Sequence, residues 1–364
     1  MNTREKRGLV MIMAGGTGGH IYPGLAVAAA LQEAGVRVAW LGAVGGMEFD
    51  KVPPSGIEIH GVRVSGLRGK GLKRWLALPF TLLRAVRDAW AVMRTQRPDC
   101  AVSFGGYVAG PGGLAAWLRG IPLVVHEQNR IPGMTNRTLS RFARRVMQAF
   151  PGSFPEGSGA ETCGNPVRQH VVALPDPEQR WSGREGPARV LVTGGSQGAR
   201  SLNRVLPTAI AALPEHLQPE LRHQTGVSDE SDTRAAYADA GIAATVSPFI
   251  DDMAAAYAWA DLVVCRAGAL TVSELAAAGL GAVLVPFPHA VDDHQTANAR
   301  YLTEVGAAQL LPESDLTPEA LARVLEPILE DRRVSLAMAR AARDAAEPEA
   351  AARVAARCLD WVPA

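Results

Sequence analysis

Residues 9–35, LVMIMAGGTGGHIYPGLAVAAALQEAG, run from six apolar residues through a glycine-rich loop carrying Thr17 and His20 into an alanine-rich amphipathic stretch. An unbroken apolar run of that length fits a strand buried on both faces, and the stretch after the loop fits a helix covering it. The same succession returns at residues 189–214, RVLVTGGSQGARSLNRVLPTAIAALP, as a second strand, glycine loop and helix. Two such openings predict an α/β chain of two Rossmann-like domains, each a doubly wound parallel sheet.

The remaining apolar runs agree. VRVAWLG (36–42), CAVSFGG (100–106), PLVVHEQ (122–128) and RRVMQAF (144–150) follow the first opening, and ATVSPFI (244–250), DLVVCRAG (261–268) and GAVLVPFP (281–288) follow the second. Each reads as a parallel strand separated from the next by a helical stretch. Residues 151–187, rich in proline and glycine without periodicity, read as a linker with the boundary near Gly164. The expected domains are 1–164 and 165–344, with a helical pattern over 345–364 packing back on the first. In such sheets ligands bind at the carboxyl ends of the strands, so two facing domains leave a cleft there.

With 364 residues, 48% hydrophobic, 20% charged and a formal net charge of +1, the composition excludes disorder and a global nucleic-acid field. Cys100, Cys163, Cys265 and Cys358 lie far apart with no zinc spacing, and read as buried thiols. The apolar run after the basic start is too short for a signal sequence and ends in glycines, and no stretch reaches the roughly 18 apolar residues of a membrane span. The expected compartment is the cytoplasm.

Neither glycine loop fits GxGxxG, no GK[ST] is present, and the second strand ends in AWLGAVGG with no acid before Glu48 to hold a ribose. The nicotinamide and P-loop fingerprints are therefore absent. Loop N–H groups ahead of a helix still suit a phosphate or sugar. Their plain structural role is a tight turn, and it is the second, matched loop that favours a ligand. A helix N-terminus favours the neutral imidazole, so His20 is a candidate general base as well as a candidate turn residue.

In CRAGALTVSELAAAG (265–279), Thr271 and Glu274 have the T-x-x-E spacing of a capping box. Alternatively, Gly268 to Thr271 offer N–H groups to a diphosphate while the two oxygens of Glu274 accept from vicinal ribose hydroxyls. In PFPHAVDDHQTANARYL (286–302), Asp292 or Asp293 caps a helix, and Gln295 and Asn298 share one face as surface amides or sugar ligands.

Taken in order, GGTGGHIYPGLAVA, SFGGYVAGPGGLAA, HEQNRIPGMTNR, GNPVR, VTGGSQGARSLN and CRAGALTVSEL followed by PFPHAVDDHQTANA resemble the MurG family of peptidoglycan glycosyltransferases over residues 9–310. The resemblance implies a GT-B fold and inverting transfer of GlcNAc from UDP-GlcNAc to the muramyl 4-hydroxyl of lipid I, giving lipid II with a β-1,4 bond. It places Thr17, Gly18 and Gly19 on the donor's diphosphate or sugar and Asn129 on the GlcNAc. It assigns the rest of the donor site to Arg168, Ser196, Ile250, Ala269, Leu270, Thr271, Val272, Ser273, Glu274 and Gln295. His294 stands where some members carry a second glutamine.

His20 is the first candidate for the base and Glu127, in HEQN, the second; an orienting hydrogen bond is the other role open to Glu127. The implied chemistry needs no cofactor and no metal, because loop N–H groups and helix dipoles can stabilise the leaving diphosphate. Residues 61–97 carry nine Lys or Arg against one Asp around RWLALPFTLL. With a lipid-anchored acceptor, that segment is expected to bind an anionic membrane surface through Arg68, Lys70, Lys73, Arg74, Trp75, Leu76, Leu78, Phe80 and Leu82. Without the resemblance, an ordinary core helix with a basic face is the simpler reading. The expected location is then peripheral, on the cytoplasmic face of the bacterial inner membrane, with possible docking of cell-wall synthesis proteins. Nucleic acid is not an expected partner. The competing functions are another GT-B enzyme, such as a secondary-metabolite glycosyltransferase or a UDP-sugar 2-epimerase, a dinucleotide oxidoreductase, and a non-catalytic sugar-nucleotide sensor.

Overall fold

The computed structural model describes residues 7–64, 72–195 and 198–363. Contacts divide the chain into Met1–Arg168 with Pro348–Ala364, and Gln169–Glu347. The first unit holds β1 (Arg7–Ala14), β2 (Val36–Ala43), β3 (Glu58–Val62), β4 (Cys100–Gly105), β5 (Leu123–Glu127), β6 (Arg145–Gln148) and β7 (Glu161–Thr162), ordered β3-β2-β1-β4-β5-β6-β7. The second holds β8 (Arg189–Thr193), β9 (Glu220–Gln224), β10 (Ala244–Ser247), β11 (Leu262–Cys265), β12 (Gly281–Leu284) and β13 (Ala308–Leu310), ordered β10-β9-β8-β11-β12-β13. All pairings are parallel. Both sheets reverse direction beside their first strand, between β1 and β4 and between β8 and β11. That reversal opens a crevice at the strands' carboxyl ends, and both glycine loops lie there.

The central strands are apolar throughout because helices cover both faces. Val10, Met11, Ile12 and Met13 are fully buried, as are Val190, Leu191 and Val192. Each buried aliphatic side chain contributes about 1.5–3 kcal/mol relative to exposure. Helix Gly18–Glu33 closes tightly on β2 because residue 24 lacks a side chain: a Cβ there would lie 2.6 Å from the Trp40 ring. Trp40 is fully buried and donates its indole N–H to Ala14 O at 2.9 Å, fixing the end of β1. Helix Ala350–Leu359 belongs to the first unit, packing on helix Gly18–Glu33 with Val354 and Cys358 buried. The four cysteines are buried free thiols.

Three expectations change. Residues 169–187 are not a linker but part of the second unit's wall. Helices Gln169–Val172 and Pro177–Trp181 lie there, Arg180 donates to Gly279 O at 2.5 Å, Arg184 to Ala258 O at 2.6 Å, and Arg343 to Leu174 O at 2.6 Å. Strands β3, β7, β9 and β13 had no apolar run to announce them. The capping box does not form: helix Ala269–Ala278 begins two residues before Thr271, with Gly268 at its N-cap, which leaves Glu274 in the second turn. Among the described residues, no helix is long and apolar enough to cross a membrane.

Candidate active site

In the first unit two loops, after β1 and after β4, meet at His20. Helix Gly18–Glu33 starts immediately after Thr17, whose carbonyl accepts the N–H groups of His20 (3.1 Å) and Ile21 (3.2 Å). His20 Nδ1 lies 3.2 Å from Gly15 O. A carbonyl only accepts, so Nδ1 carries the hydrogen and the ring's lone pair is on Nε2. Thr17 Oγ1 is 3.3 Å from the same Nδ1. Gly105, ending β4, brings its backbone against the ring, since a Cβ there would lie 3.4 Å from Nε2. Gly106 has φ +85° and passes so close to the first loop that a Cβ would lie 2.2 Å from Gly15 O. Tyr107 follows, exposed.

Glu127 ends β5 almost fully buried. Its Oε1 accepts from Asn129 N (2.9 Å) and Asn129 Nδ2 (3.1 Å), and its Oε2 from Gly133 N (3.1 Å) and Asn136 Nδ2 (3.0 Å). Burial raises its carboxyl pKa, opposed by these four donors, which favour the charged form. Four bonds make it the clamp of the loop carrying Asn129. Asn136, on helix Met134–Leu139, also donates to His126 O at 3.0 Å and accepts from Ser103 Oγ at 2.9 Å, tying β4 to β5. Arg168 stacks its guanidinium 5.3 Å from the Tyr22 ring, on the helix of His20, and is grouped with this unit.

In the second unit the loop after β8 contains Ser196, which with Gln197 lies outside the described residues. Gly198 has φ +75° and a Cβ there would lie 1.8 Å from Thr225 O, a position only glycine can fill. Asn203 Nδ2 donates to that same carbonyl (3.0 Å), and Asn203 Oδ1 accepts from His223 Nε2 (3.0 Å), whose Nδ1 accepts from the Tyr237 hydroxyl (3.0 Å). Burial pushes His223 down to about 3, so it stays neutral.

After β11, the first hydrogen bond of helix Ala269–Ala278 runs from Val272 N to Gly268 O. Ala269, Leu270 and Thr271 thus supply the opening-turn N–H groups that suit an anion. Val272 is fully buried and Ser273 Oγ donates to Ala269 O at 3.0 Å, so these two build the helix start rather than present side chains. Glu274 is buried, with Oε2 accepting from the Tyr257 hydroxyl at 3.1 Å. Gln295 Oε1 accepts from Phe287 N at 2.9 Å, fixing the loop after β12, and Ile250 is half-buried after β10. Asn298 is fully buried, which removes it from the sugar-ligand candidates. Asp293 takes the N-cap position of helix His294–Thr303, but its carboxylate accepts from Thr296 Oγ1 at 2.7 Å instead of a backbone N–H.

Sequence reasoning missed Glu48, Asn136 and Arg266. Arg266 donates to Val285 O (3.1 Å), Pro286 O (3.2 Å) and Ser201 Oγ (2.9 Å) and pairs with Glu313, lashing the ends of β11, β12 and β13 to the start of helix Arg200–Ala211. No local pattern announces such partners, because they are distant in sequence. Glu48 does have a signal, the glycines at 42, 45 and 46 just ahead of it.

Two doubly wound sheets, each with a glycine loop at its switch point, make the GT-B architecture of sugar-nucleotide enzymes. Residues 10–148 match the glycosyltransferase family 28 N-terminal domain, and residues 189–354 its C-terminal domain. The chain is 54% identical over 358 residues, 98% of its length and 99% of the relative's, to the UDP-N-acetylglucosamine--N-acetylmuramyl-(pentapeptide) pyrophosphoryl-undecaprenol N-acetylglucosamine transferase of Marinobacter nauticus. The crystal structure of Acinetobacter baumannii MurG superposes with a TM-score of 0.84 at 43% identity, covering 97% of this chain and 99% of that one. The Neisseria meningitidis UDP-GlcNAc 2-epimerase, at 10% identity and a TM-score of 0.66, shares the fold alone. The chain belongs to glycosyltransferase family 28 and, within it, to the MurG transferases.

Proposed function

We propose that the protein transfers GlcNAc from UDP-GlcNAc to the muramyl 4-hydroxyl of lipid I, producing lipid II for peptidoglycan synthesis. The observation that carries this reading is the 54% identity over 99% of the length of a transferase whose name states the donor sugar and the acceptor. The geometry supplies the chemistry. His20 Nε2 takes the proton of the 4-hydroxyl as its oxygen attacks the anomeric carbon; the bond from that carbon to the diphosphate oxygen breaks, and UDP leaves with the electron pair. The N–H groups of Ala269, Leu270 and Thr271 and the positive end of their helix stabilise the charge gathering on UDP. Glu274 takes the ribose hydroxyls, held in place by Tyr257, and Ile250 meets the uracil. Ser196, Arg168 and Gln295 complete the donor contacts, with Thr17, Gly18, Gly19 and Asn129 at the sugar. Glu127 positions Asn129 and is not the base, since each of its oxygens already accepts two N–H bonds.

The acceptor carries a lipid, so this reading includes a membrane-facing surface and a peripheral location on the cytoplasmic face of the membrane. Helix Leu72–Gln96 exposes Phe80 and Leu83, and Trp117 and Leu118 are exposed on the helix packed beside it. Arg68 and Lys70, and the side chains of Lys73, Arg74, Trp75, Leu76 and Leu78, lie outside the described residues.

Labelled UDP-GlcNAc with a short-chain lipid I analogue tests the reaction. The expected outcome is a disaccharide product, unaffected by chelator, with kcat lowered about 100-fold or more in His20→Ala. Conversion of UDP-GlcNAc without acceptor would place the protein with the epimerases instead.

A further inference from the structure

We propose that Glu48 is a positioning residue for His20, acting through the single peptide group between Gly15 and Gly16; this rests on His20 being the base. The N–H of that peptide, on Gly16, donates to Glu48 Oε2 at 3.2 Å, and its carbonyl, on Gly15, accepts from His20 Nδ1 at 3.2 Å. Carboxylate, peptide and imidazole form one hydrogen-bonded line. Glu48 is fully buried, and its other oxygen accepts from Ala43 N at 2.7 Å. Three glycines make room for this one side chain. A Cβ at Gly15 would lie 2.3 Å from Oε1, one at Gly46 2.6 Å from Oε2, and one at Gly42 2.7 Å from Cγ. The first glycine of the GGTGGH loop is therefore required by a carboxylate behind it.

Two consequences follow. When Nε2 takes the acceptor proton the ring becomes an imidazolium, and its Nδ1–H bond to Gly15 O strengthens because Glu48 polarises the peptide from the other side. No proton travels along the line. Second, the Gly16 N–H is already given to Glu48 rather than turned toward a phosphate, which assigns this loop to sugar and acceptor hydroxyls and leaves the diphosphate to the second unit.

Glu48→Gln tests the proposal in the intact enzyme. The expected result is a kcat about 10- to 100-fold lower with the KM for UDP-GlcNAc unchanged, the relay being indirect. The acid limb of kcat/KM should move to lower pH, since the Gly15 carbonyl that holds the imidazolium loses the polarisation supplied through Gly16 N–H. His20→Ala with Glu48→Gln should be no slower than His20→Ala alone. UDP affinity should stay within about twofold; marked tightening would return the diphosphate to this loop. A wild-type ¹⁵N spectrum should show neutral His20 protonated on Nδ1, and an Nε2–H tautomer overturns the relay without any variant. Losses that add in the double variant, or a His20 titration unmoved by Glu48→Gln, overturn it as well. If His20→Ala keeps full turnover the base assignment fails, while the His20 titration still reports whether Glu48 is coupled to it.

Discussion

His126 and His20 are the same residue type put to opposite uses by their surroundings. His126 has no exposed surface; its Nε2–H donates to Gly164 O at 2.9 Å and its Nδ1 accepts from Gln128 Nε2 at 3.0 Å. Burial pushes it from 6.5 down to about 4, because an imidazolium there would be desolvated. The folded protein thus refuses a proton that the unfolded chain accepts. His126 contributes its full stability above pH 6.5, the unfolded value, and that contribution is lost as pH falls toward about 4. Between pH 6.5 and about 5 the loss is roughly 2 kcal/mol, at about 1.4 kcal/mol per pH unit. Urea unfolding at a series of pH values should show this slope, and His126→Gln should flatten it while lowering stability at neutral pH by about 1–3 kcal/mol. An unchanged slope would mean that His126 is protonated in the fold. The sequence alone could not sort these histidines: HEQN and GGHI each place a histidine beside a strand end, and only burial assigns one to the frame.

At the scale of elements, helix Leu72–Gln96 combines two surfaces. Ala85, Ala89 and Met93 are buried in the first unit's core, while Phe80 is 77% and Leu83 61% exposed. Arg84 and Arg87 lie beside these apolar residues, whereas Arg63 is engaged by Asp88, with Nε 2.8 Å from Oδ2. If this face enters the headgroup region, Phe80→Ser and Leu83→Ser should each weaken cosedimentation with anionic vesicles about tenfold, on the order of 1.4 kcal/mol of lost apolar burial. Added salt should weaken it further through the arginines, and transfer to a short-chain acceptor should stay unchanged. Undiminished binding of the double variant would dismiss the face. Elements were legible where burial is two-sided: β1, β4, β8 and β11 each carry an apolar run of three or more residues, and the glycine loops punctuate them. Strand β9, ELRHQ, was not legible because His223 and Gln224 are buried polar residues satisfied by Asn203, Tyr237 and Pro248, partners no local window contains. Edge strands β3 and β7 gave no apolar run, and the arginines that turn residues 169–187 into a packed wall resemble linker charge until their carbonyl partners are known.

The two units have separate cores, the first built around Ile12, Trp40 and Phe104 and the second around Val192, Leu206 and Val264. The first is completed by the chain's last helix, since Val354 and Cys358 are fully buried among its residues and Arg357 pairs with Glu161 at 2.8 Å. A charge placed at residue 354 should therefore act on the first unit and spare the second, although it lies after the second in sequence. Val354→Asp buries an unpaired carboxylate and removes a core side chain, at a cost of about 3–5 kcal/mol. Calorimetry should show a first-unit transition lowered by about 6–20 °C, at about 2–4 °C for each kcal/mol in a domain of this size. With the donor nucleotide on the second unit, as proposed, UDP should raise the second-unit transition equally in the variant and the parent, because a ligand stabilises only the fold that binds it. A single transition that falls as a whole and no longer responds to UDP would show that the units unfold as one, and that the donor site depends on the first unit's core.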